Sequence, residues 1–320
     1  MHQPLVSILI NNYNYADFLS EAIDSALNQT YPHTEVIVVD DASVDDSQKI
    51  MDGYGDNIIS IFNEQNKGQA AAFNEGVKVS KGEIICLLDG DDLFFPDKVS
   101  QVVRLFESRS NCNWFFHESV PIRSQDIARQ KSRVISDEDL AKDISELVEY
   151  VDFRNEVLNG KMPKFMPSTS NLCFSKDVAL KIFPLPEIKG FSGVAISDAY
   201  LKFSLVALSK GYGTRSNFGI FRLHDKNRFS AQKVKKRRKV MAEISLITAR
   251  QMQLNLPSSS RLSNKLFARG LSLYLRIKDN DLDYGRLIKE YIFSADIKSK
   301  VQILLMTAYY SVMINLGKIR

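Results

Sequence analysis

The sequence predicts an α/β protein: a mostly parallel sheet with helices on both faces, continued by a helical C-terminal region. Three observations carry this prediction. Apolar strand-like runs alternate with helical repeats through the first 117 residues. The run Glu83–Leu88 reads as a strand buried on both faces. The acids Asp89, Asp91 and Asp92, interrupted by Gly90, follow at its carboxyl end, where open parallel sheets bind ligands. In the last ninety residues helical patterns with interspersed basic residues dominate.

Taken in order, the strand-like runs are Leu5–Ile10, Glu35–Asp40, Asn57–Phe62, Glu83–Leu88 and Cys112–His117. Between the first two, Phe18, Leu19, Ala22, Ile23, Ala26 and Leu27 repeat at helical spacing over Asp17–Gln29, with Asp17 placed as N-cap. After the acids, Pro96 suits a first helical turn, and Val99, Val102, Val103 and Phe106 form one stripe. Such alternation implies right-handed βαβ crossovers. The charged segment Ser119–Lys161 reads as a loop and helical insertion on the open side of the site. Ile196–Leu201 fits a helix start, with Ser197 as N-cap and Leu201, Leu205 and Leu208 on one face.

A chain of 320 residues has ample core for one large domain or two ordinary ones. Its apolar fraction of 44% and charged fraction of 25% exclude a disordered or fibrous chain. A net charge of +4 is too small to imply nucleic acid, although basic residues gather in Lys233–Lys239. The three cysteines form no C-x-x-C pair. Cys86 and Cys112 lie in apolar runs, so reduced, buried thiols of a cytoplasmic protein are expected. The N-terminus lacks a charged region followed by an apolar core and cleavage site, so no signal peptide is expected.

Three strand ends carry polar groups: Asn11–Tyr15, Asp40–Ser43 and Asp89–Asp92. Crowded carboxylates repel unless something positive joins them. A hard divalent cation, Mg²⁺ or Mn²⁺, held by one or two carboxylates and completed by phosphate oxygens and water, resolves that repulsion. A surface turn rich in Asp and Gly is the plainer alternative. An aromatic ring for a base, a carboxylate for a base N–H or ribose hydroxyl, and a metal site for a diphosphate together suit a nucleotide. Asn-Tyr-Asn alone is an ordinary turn and Asp-Asp-Ala-Ser alone a helix cap; their occurrence in register favours the nucleotide. Neither G-x-G-x-x-G nor G-x-x-x-x-G-K-[ST] follows the first strand, which excludes a dinucleotide fold and a P-loop enzyme.

Val6–Tyr15, Val36–Ser43, Asn66-Lys67-Gly68, Asn74-Glu75-Gly76 and Leu88–Asp92 together resemble the family 2 glycosyltransferases of the GT-A fold, a Rossmann-like, mostly parallel sheet. The resemblance is strong over residues 4–110 and looser to 230. It implies a domain over 1–230, with 1–117 the nucleotide-binding half and 118–230 the acceptor half, and then 231–320 as the helical C-terminal region. It further implies an inverting, metal-dependent transferase of the hexosyltransferase type. Such an enzyme uses a nucleotide sugar, commonly a UDP-sugar, with Mn²⁺ or Mg²⁺ in surface polysaccharide or glycolipid synthesis. Carried over, Asn11 and Tyr13 border the uracil, Asp41 accepts from the base N3–H, and Asn66 lies near the nucleotide. Asp89 reaches the ribose or the metal's water shell, and Asp91 binds the metal. The family often has Ala-Arg-Asn where this chain has Ala72-Phe73-Asn74, so one donor contact is missing.

Inversion needs a carboxylate to take the acceptor's proton. The family places that base at the head of a helix after the metal motif, and Asp198 matches the place. Its first-turn position favours the ionised form. Acids also occur at helix starts without a catalytic role, and Asp177 and Glu187 compete for it. Pro167–Lys176 resembles a short strand lining the sugar pocket, and Phe221–Ser230 a loop closing over the diphosphate. There His224 is a candidate metal ligand or phosphate partner, or a histidine bonded within its loop. Arg222 and Lys226 are candidate phosphate neighbours.

Val301–Leu316 is almost wholly apolar, broken by Gln302, Thr307, Ser311 and Asn315. Such a helix spans ~24 Å against a hydrocarbon core of ~30 Å, a poor transmembrane segment. Lys298, Lys300, Lys318 and Arg320 flank it. Packing on its own domain or in a homodimer is preferred. A peripheral contact at the inner face of the membrane, suited to a lipid-linked saccharide acceptor, is the alternative. Rival functions come from other classes. A nucleotidyltransferase would need a glycine-rich basic loop after the first strand. A non-catalytic nucleotide-sugar-binding protein could dispense with Asp198. A nucleic-acid protein would rest on Lys233–Lys239 alone.

Overall fold

The computed structural model describes residues 3–129, 144–163, 167–187, 197–225, 227, 234–277 and 284–316. Contacts divide the chain into two compact units. The first is Met1–Asp152, Phe165–Glu187 and Ser209–Asp225; the second is Phe153–Lys164, Ile188–Leu208 and Lys226–Arg320. The chain opens with β1 (Val6–Asn12), α1 (Ala16–Leu27), β2 (Thr34–Asp40), α2 (Ser47–Tyr54), β3 (Ile59–Phe62) and α3 (Gln69–Val79). It continues with β4 (Ile84–Asp89), β5 (Leu93–Phe94), α4 (Lys98–Ser108), β6 (Trp114–Arg123), α5 (Ile144–Leu147) and β7 (Glu149–Val151). Next come α6 (Arg154–Leu158), β8 (Leu172–Ser175), α7 (Lys176–Ile182), α8 (Ser197–Leu208) and β9 (Gly211–Leu223). The helices α9 (Val234–Asn255), α10 (Ser260–Tyr274), α11 (Gly285–Ser294) and α12 (Ile297–Asn315) complete it.

The first unit holds a mixed sheet of order β3-β2-β1-β4-β8-β6-β9-β5, with β7 also paired to β9. The first four strands are parallel, as the alternating pattern predicts. The antiparallel additions are β8, wedged between β4 and β6, and the short strands β5 and β7 on β9. Side-chain alternation explains the layering. Val6, Ile8 and Ile10 of β1 and Val36 and Val38 of β2 pack with Leu19, Ala22 and Ile23 of α1, Met51 of α2 and Val99 and Val102 of α4. Ile37 and Val39 pack with Ala72 of α3 on the other face. Both faces of the inner strands are therefore apolar, and the runs read as continuous rather than alternating.

Several boundaries differ from the sequence reading. The strand β1 runs on to Asn12, because Asn11 and Asn12 continue the ladder opposite Val39 and Asp40. The N-cap of α1 is Tyr15, not Asp17, which falls in the first turn. The Ala16 N–H donates instead to Asp45 Oδ2 at 3.0 Å, a carboxylate from the next loop. The charged segment after Ser119 begins as strand, since β6 extends to Arg123 alongside β9. The three cysteines are free and buried, as expected.

In the second unit α10 packs on α9 and α12. Ala242, Ala268, Leu273, Tyr310 and Ile314 form a common core. The Phe267 and Tyr291 rings stack at 3.9 Å, and the Tyr291 hydroxyl lies 3.1 Å from Ser263 Oγ and 3.0 Å from Asn264 Oδ1. The apolar final segment does form a helix, started by Asp296, whose side chain accepts from Ser299 N–H at 2.6 Å. Its own unit covers only a seam of it, at Ile303, Tyr310 and Ile314. No helix among the described residues is long and apolar enough to cross a membrane. Of the basic run, Lys233 lies outside the described residues, while Arg237 and Arg238 are exposed on α9.

Gly211 shows how tightly β6 and β9 approach. A Cβ there would lie 2.3 Å from the Trp114 carbonyl oxygen and 2.1 Å from the indole. Gly211→Ala is therefore expected to cost about 1–3 kcal/mol in urea unfolding. Gly53, in α2, has nothing within 4 Å of such a Cβ, and Gly53→Ala is expected to gain about 0.5–1 kcal/mol.

Candidate functional site

The carboxyl ends of β1, β2 and β4 lie side by side, with Asn11 opposite both Val39 and Asp89. Their loops clasp one another. Asn12 Nδ2 donates to Asp40 Oδ1 at 2.6 Å and to Ser43 Oγ at 3.2 Å. Asn14 N–H donates to Ser43 Oγ, and Val44 N–H donates back to Asn14 Oδ1, both at 2.8 Å. This interlock holds Asn14 and Ala42 at φ of 58° and 60°, the left-handed region that favours glycine. Asp41 accepts from Asn63 Nδ2 at 2.9 Å, Lys67 N–H at 3.1 Å and Gly68 N–H at 2.6 Å, which draws in the loop before α3. Asn11 Oδ1 is buried without a hydrogen-bond partner among the described residues. Tyr13, two positions on, is half-buried, and Asn66 is exposed.

At the end of β4 the carboxylates of Asp89, Asp91 and Asp92 each bring an oxygen within 4.8 Å of the others. The Gly90 N–H donates to Asn11 O at 3.0 Å, and a Cβ at Gly90 would lie 3.0 Å from Asn12 Oδ1, so a side chain there would crowd the end of β1. Asp92 is buried and bonded to protein through both oxygens: Oδ2 accepts from Ser170 Oγ at 2.6 Å, and Oδ1 from Arg222 N–H at 3.0 Å. Burial pushes its carboxyl well above the usual carboxylate range, reinforced by Asp91 and then Asp89. Ser170 Oγ also accepts from Asp89 N–H at 3.1 Å, so one hydroxyl fixes two of the acids.

Two buried cations frame the cluster. Lys98 Nζ donates to Ser170 O at 2.9 Å and sits 3.2 Å over the Phe94 ring; burial lowers its pKa, against the raising influence of Cys173, Cys86 and Asp92. Arg222, 2% exposed, donates from Nε to Asp91 O at 2.8 Å and from Nη2 to Glu21 Oε2 at 3.0 Å, with Phe18 at 4.9 Å from its guanidinium carbon. Asp91 Oδ2 and His224 Nε2 are 2.9 Å apart, and Phe18 packs on the imidazole at 4.4 Å. Gln69 Nε2 donates to Asp89 Oδ1 at 3.0 Å. An all-oxygen set of crowded, partly buried carboxylates with one imidazole at its edge fits a hard divalent cation.

Of the residues singled out in the sequence, Asn11, Tyr13, Asp41, Asn66, Asp89, Asp91 and His224 all lie in the first unit. Asp89, Asp91 and His224 come together in one cluster through the acid loop. Asp198 belongs to the second unit, at the start of α8, where Lys202 Nζ donates to its Oδ2 at 3.0 Å. Arg222 is turned into the protein, contrary to its expected place beside a phosphate, because the Asp91 carbonyl and Glu21 lie within its reach. Lys226 and the side chain of Ser197 lie outside the described residues. Glu187 accepts from Asn74 Nδ2 at 3.0 Å, and Phe73, standing where the family often has arginine, is fully buried. Sequence reasoning missed Asn63, Gln69, Lys98 and Ser170. Lys98 left one signal: a lysine four residues before Val102, in register with the buried stripe of α4.

The family model for Glycosyl transferase family 2 matches residues 7–171. An uncharacterized glycosyltransferase of Nostoc sp. is 29% identical over 226 residues, 69% of this chain and 66% of that protein. An Escherichia coli protein, the UDP-Glc:alpha-D-GlcNAc-diphosphoundecaprenol beta-1,3-glucosyltransferase WfaP, is 41% identical over 105 residues, 32% of this chain and 42% of its own length. The match thus spans less than two thirds of either relative. The crystal structure of Staphylococcus aureus TarS 1–349 in complex with UDP-GlcNAc aligns with TM-score 0.60 at 14% identity, over 98% of this chain and 92% of that one. That likeness establishes a GT-A-like fold.

Two substitutions probe the frame. Ala42→Gly relieves a left-handed alanine and is expected to raise unfolding stability by up to about 1 kcal/mol. Ser170→Ala removes a buried donor to Asp92 and an acceptor for Asp89 N–H. It is expected to cost about 1–3 kcal/mol in urea unfolding.

Proposed function

Since this chain belongs to glycosyl transferase family 2, we propose that it transfers a sugar, with inversion, from a UDP-sugar to a hydroxyl of a saccharide or lipid-linked saccharide in the cytoplasm. The observation that carries this reading is the convergence of three carboxylates at the end of β4, beside the interlocked loops of β1 and β2. The WfaP relative uses UDP-Glc and a diphosphoundecaprenol-linked acceptor by its name, and the TarS structure carries UDP-GlcNAc; both support this donor class.

Asn11 and Tyr13 border the base, Asn66 lies near the nucleotide, and Asp41 takes the base N–H while bracing the loop through Asn63 and Gly68. Asp91 and His224 would hold Mg²⁺ or Mn²⁺, Asp89 would reach the ribose or the metal's water shell, and Asp92 keeps the loop rigid through Ser170 and Arg222. When bound, the cation supplies Lewis-acid stabilisation of the charge developing on the departing diphosphate. His224 would serve as a ligand through Nε2 only in the tautomer that carries its hydrogen on Nδ1. Asp198, oriented by Lys202, takes the acceptor proton as the hydroxyl attacks.

With Mn²⁺ or Mg²⁺, UDP is expected to bind far more tightly than with chelator, and Asp91→Ala to remove most of that difference. Calorimetry giving equal affinities with and without metal rejects the donor site, and titration with GDP- and dTDP-sugars tests the choice of base. Asp198→Asn is expected to fold and bind donor nearly normally while losing ~10²–10⁴-fold in turnover. Near-normal transfer by this variant would move the base elsewhere.

A further inference from the structure

The second unit holds a cavity of about 230 Å³ lined by Met162, Lys265, Leu266, Arg269 and Tyr310. Lys265 and Arg269 stand one helical turn apart on α10, a like-charge spacing that is unfavourable in isolation. Among the described residues no carboxylate lines the cavity. The Arg269 Nε–H is buried and has no acceptor among the described residues. A cavity with two cations, an unmet guanidinium donor and apolar walls suits a phosphate group joined to something apolar.

The neighbouring helix presents the apolar part. The Tyr309 ring, exposed, meets the Tyr310 ring edge-on at 5.4 Å, so the cavity and the outer face of α12 adjoin. That face runs through Ile297, Val301, Leu304, Leu305, Tyr309 and Val312, with Leu304 72% and Leu305 65% exposed. Because its inner seam is apolar too, the helix is apolar nearly all round, a pattern of burial that its own unit does not satisfy. From Ile297 to Asn315 the helix has no acid, and Lys298 and Lys300 are exposed at its start. A second copy of the same face would bring more lysines, and the carboxylate next to them, Asp296, is already engaged by Ser299 N–H as the helix cap. An anionic lipid surface meets both the charge and the apolar stripe.

We propose that this face docks on a lipid surface and that Lys265 and Arg269 take the phosphate head group of an amphiphile. The assignment goes beyond the donor-site reading and stands or falls without it. The full chain is to be sedimented with vesicles of phosphatidylcholine alone, with added phosphatidylglycerol, and with added phosphatidic acid, whose phosphate is a terminal monoester. Binding is expected to rise in that order. Leu304→Asn with Leu305→Asn is expected to reduce binding to all three by roughly 10-fold or more. Lys265→Ala with Arg269→Ala is expected to abolish the preference for phosphatidic acid, with UDP affinity unchanged in both variants. Three outcomes overturn the proposal. The first is no sedimentation of the native chain. The second is saturating inorganic phosphate binding, lost in the Lys265/Arg269 variant, without vesicle binding, which makes the cavity a small-anion site. The third is a concentration-dependent dimer in analytical ultracentrifugation that the Leu304/Leu305 variant loses, which makes the occupant a second copy.

Discussion

Carboxylate repulsion at the end of β4 is the constraint around which the first unit is arranged. Three acids within 4.8 Å of one another would splay apart in water, and each neighbouring element contributes something that stops them. Gly90 lets the turn lie against β1; Ser170, from the turn before β8, bonds two acids at once. Arg222 ties the end of β9 to the acid loop and to α1. The later strands, absent from a simple alternating pattern, thus have a chemical purpose. The turn before antiparallel β8 brings Ser170, and β9 brings Arg222, to a site that the first four strands alone would leave unbraced.

The acids are not equivalent. Asp92 is held by protein at both oxygens and buried, which raises its pKa and suits it to a structural part. Asp89 instead accepts from Gln69 at the start of α3, and Asp91 pairs with His224. Lys98, buried below, reaches the Ser170 carbonyl rather than a carboxylate, so it braces the floor without neutralising the acids one for one. The site therefore keeps negative charge that a cation would meet.

The second unit obeys a different constraint. Its helices enclose a conventional core around Ala268 and Tyr310, yet the last helix keeps an apolar face that its unit does not bury. Hydrophobic burial is incomplete there, and among the described residues no carboxylate lines the cavity beside the neighbouring cations of α10. Both features point outward, to a surface rather than to a core.

The sequence by itself determined the alternating α/β order, the double-sided burial of the inner strands, and the acids and polar loops at their ends. Those features depend on local periodicity and on which residues follow a strand, and both are written within ten or so neighbouring residues. The family resemblance carried by the same residues extended this to a function. Only the tertiary structure decided that Asp45 rather than Asp17 serves the start of α1, that Arg222 faces inward, and that Ser170 and Lys98 support the acids. Each of these joins groups 29 to 131 positions apart. At such separations a residue's partner is set by how sheet and loops close in space, and no local pattern records it.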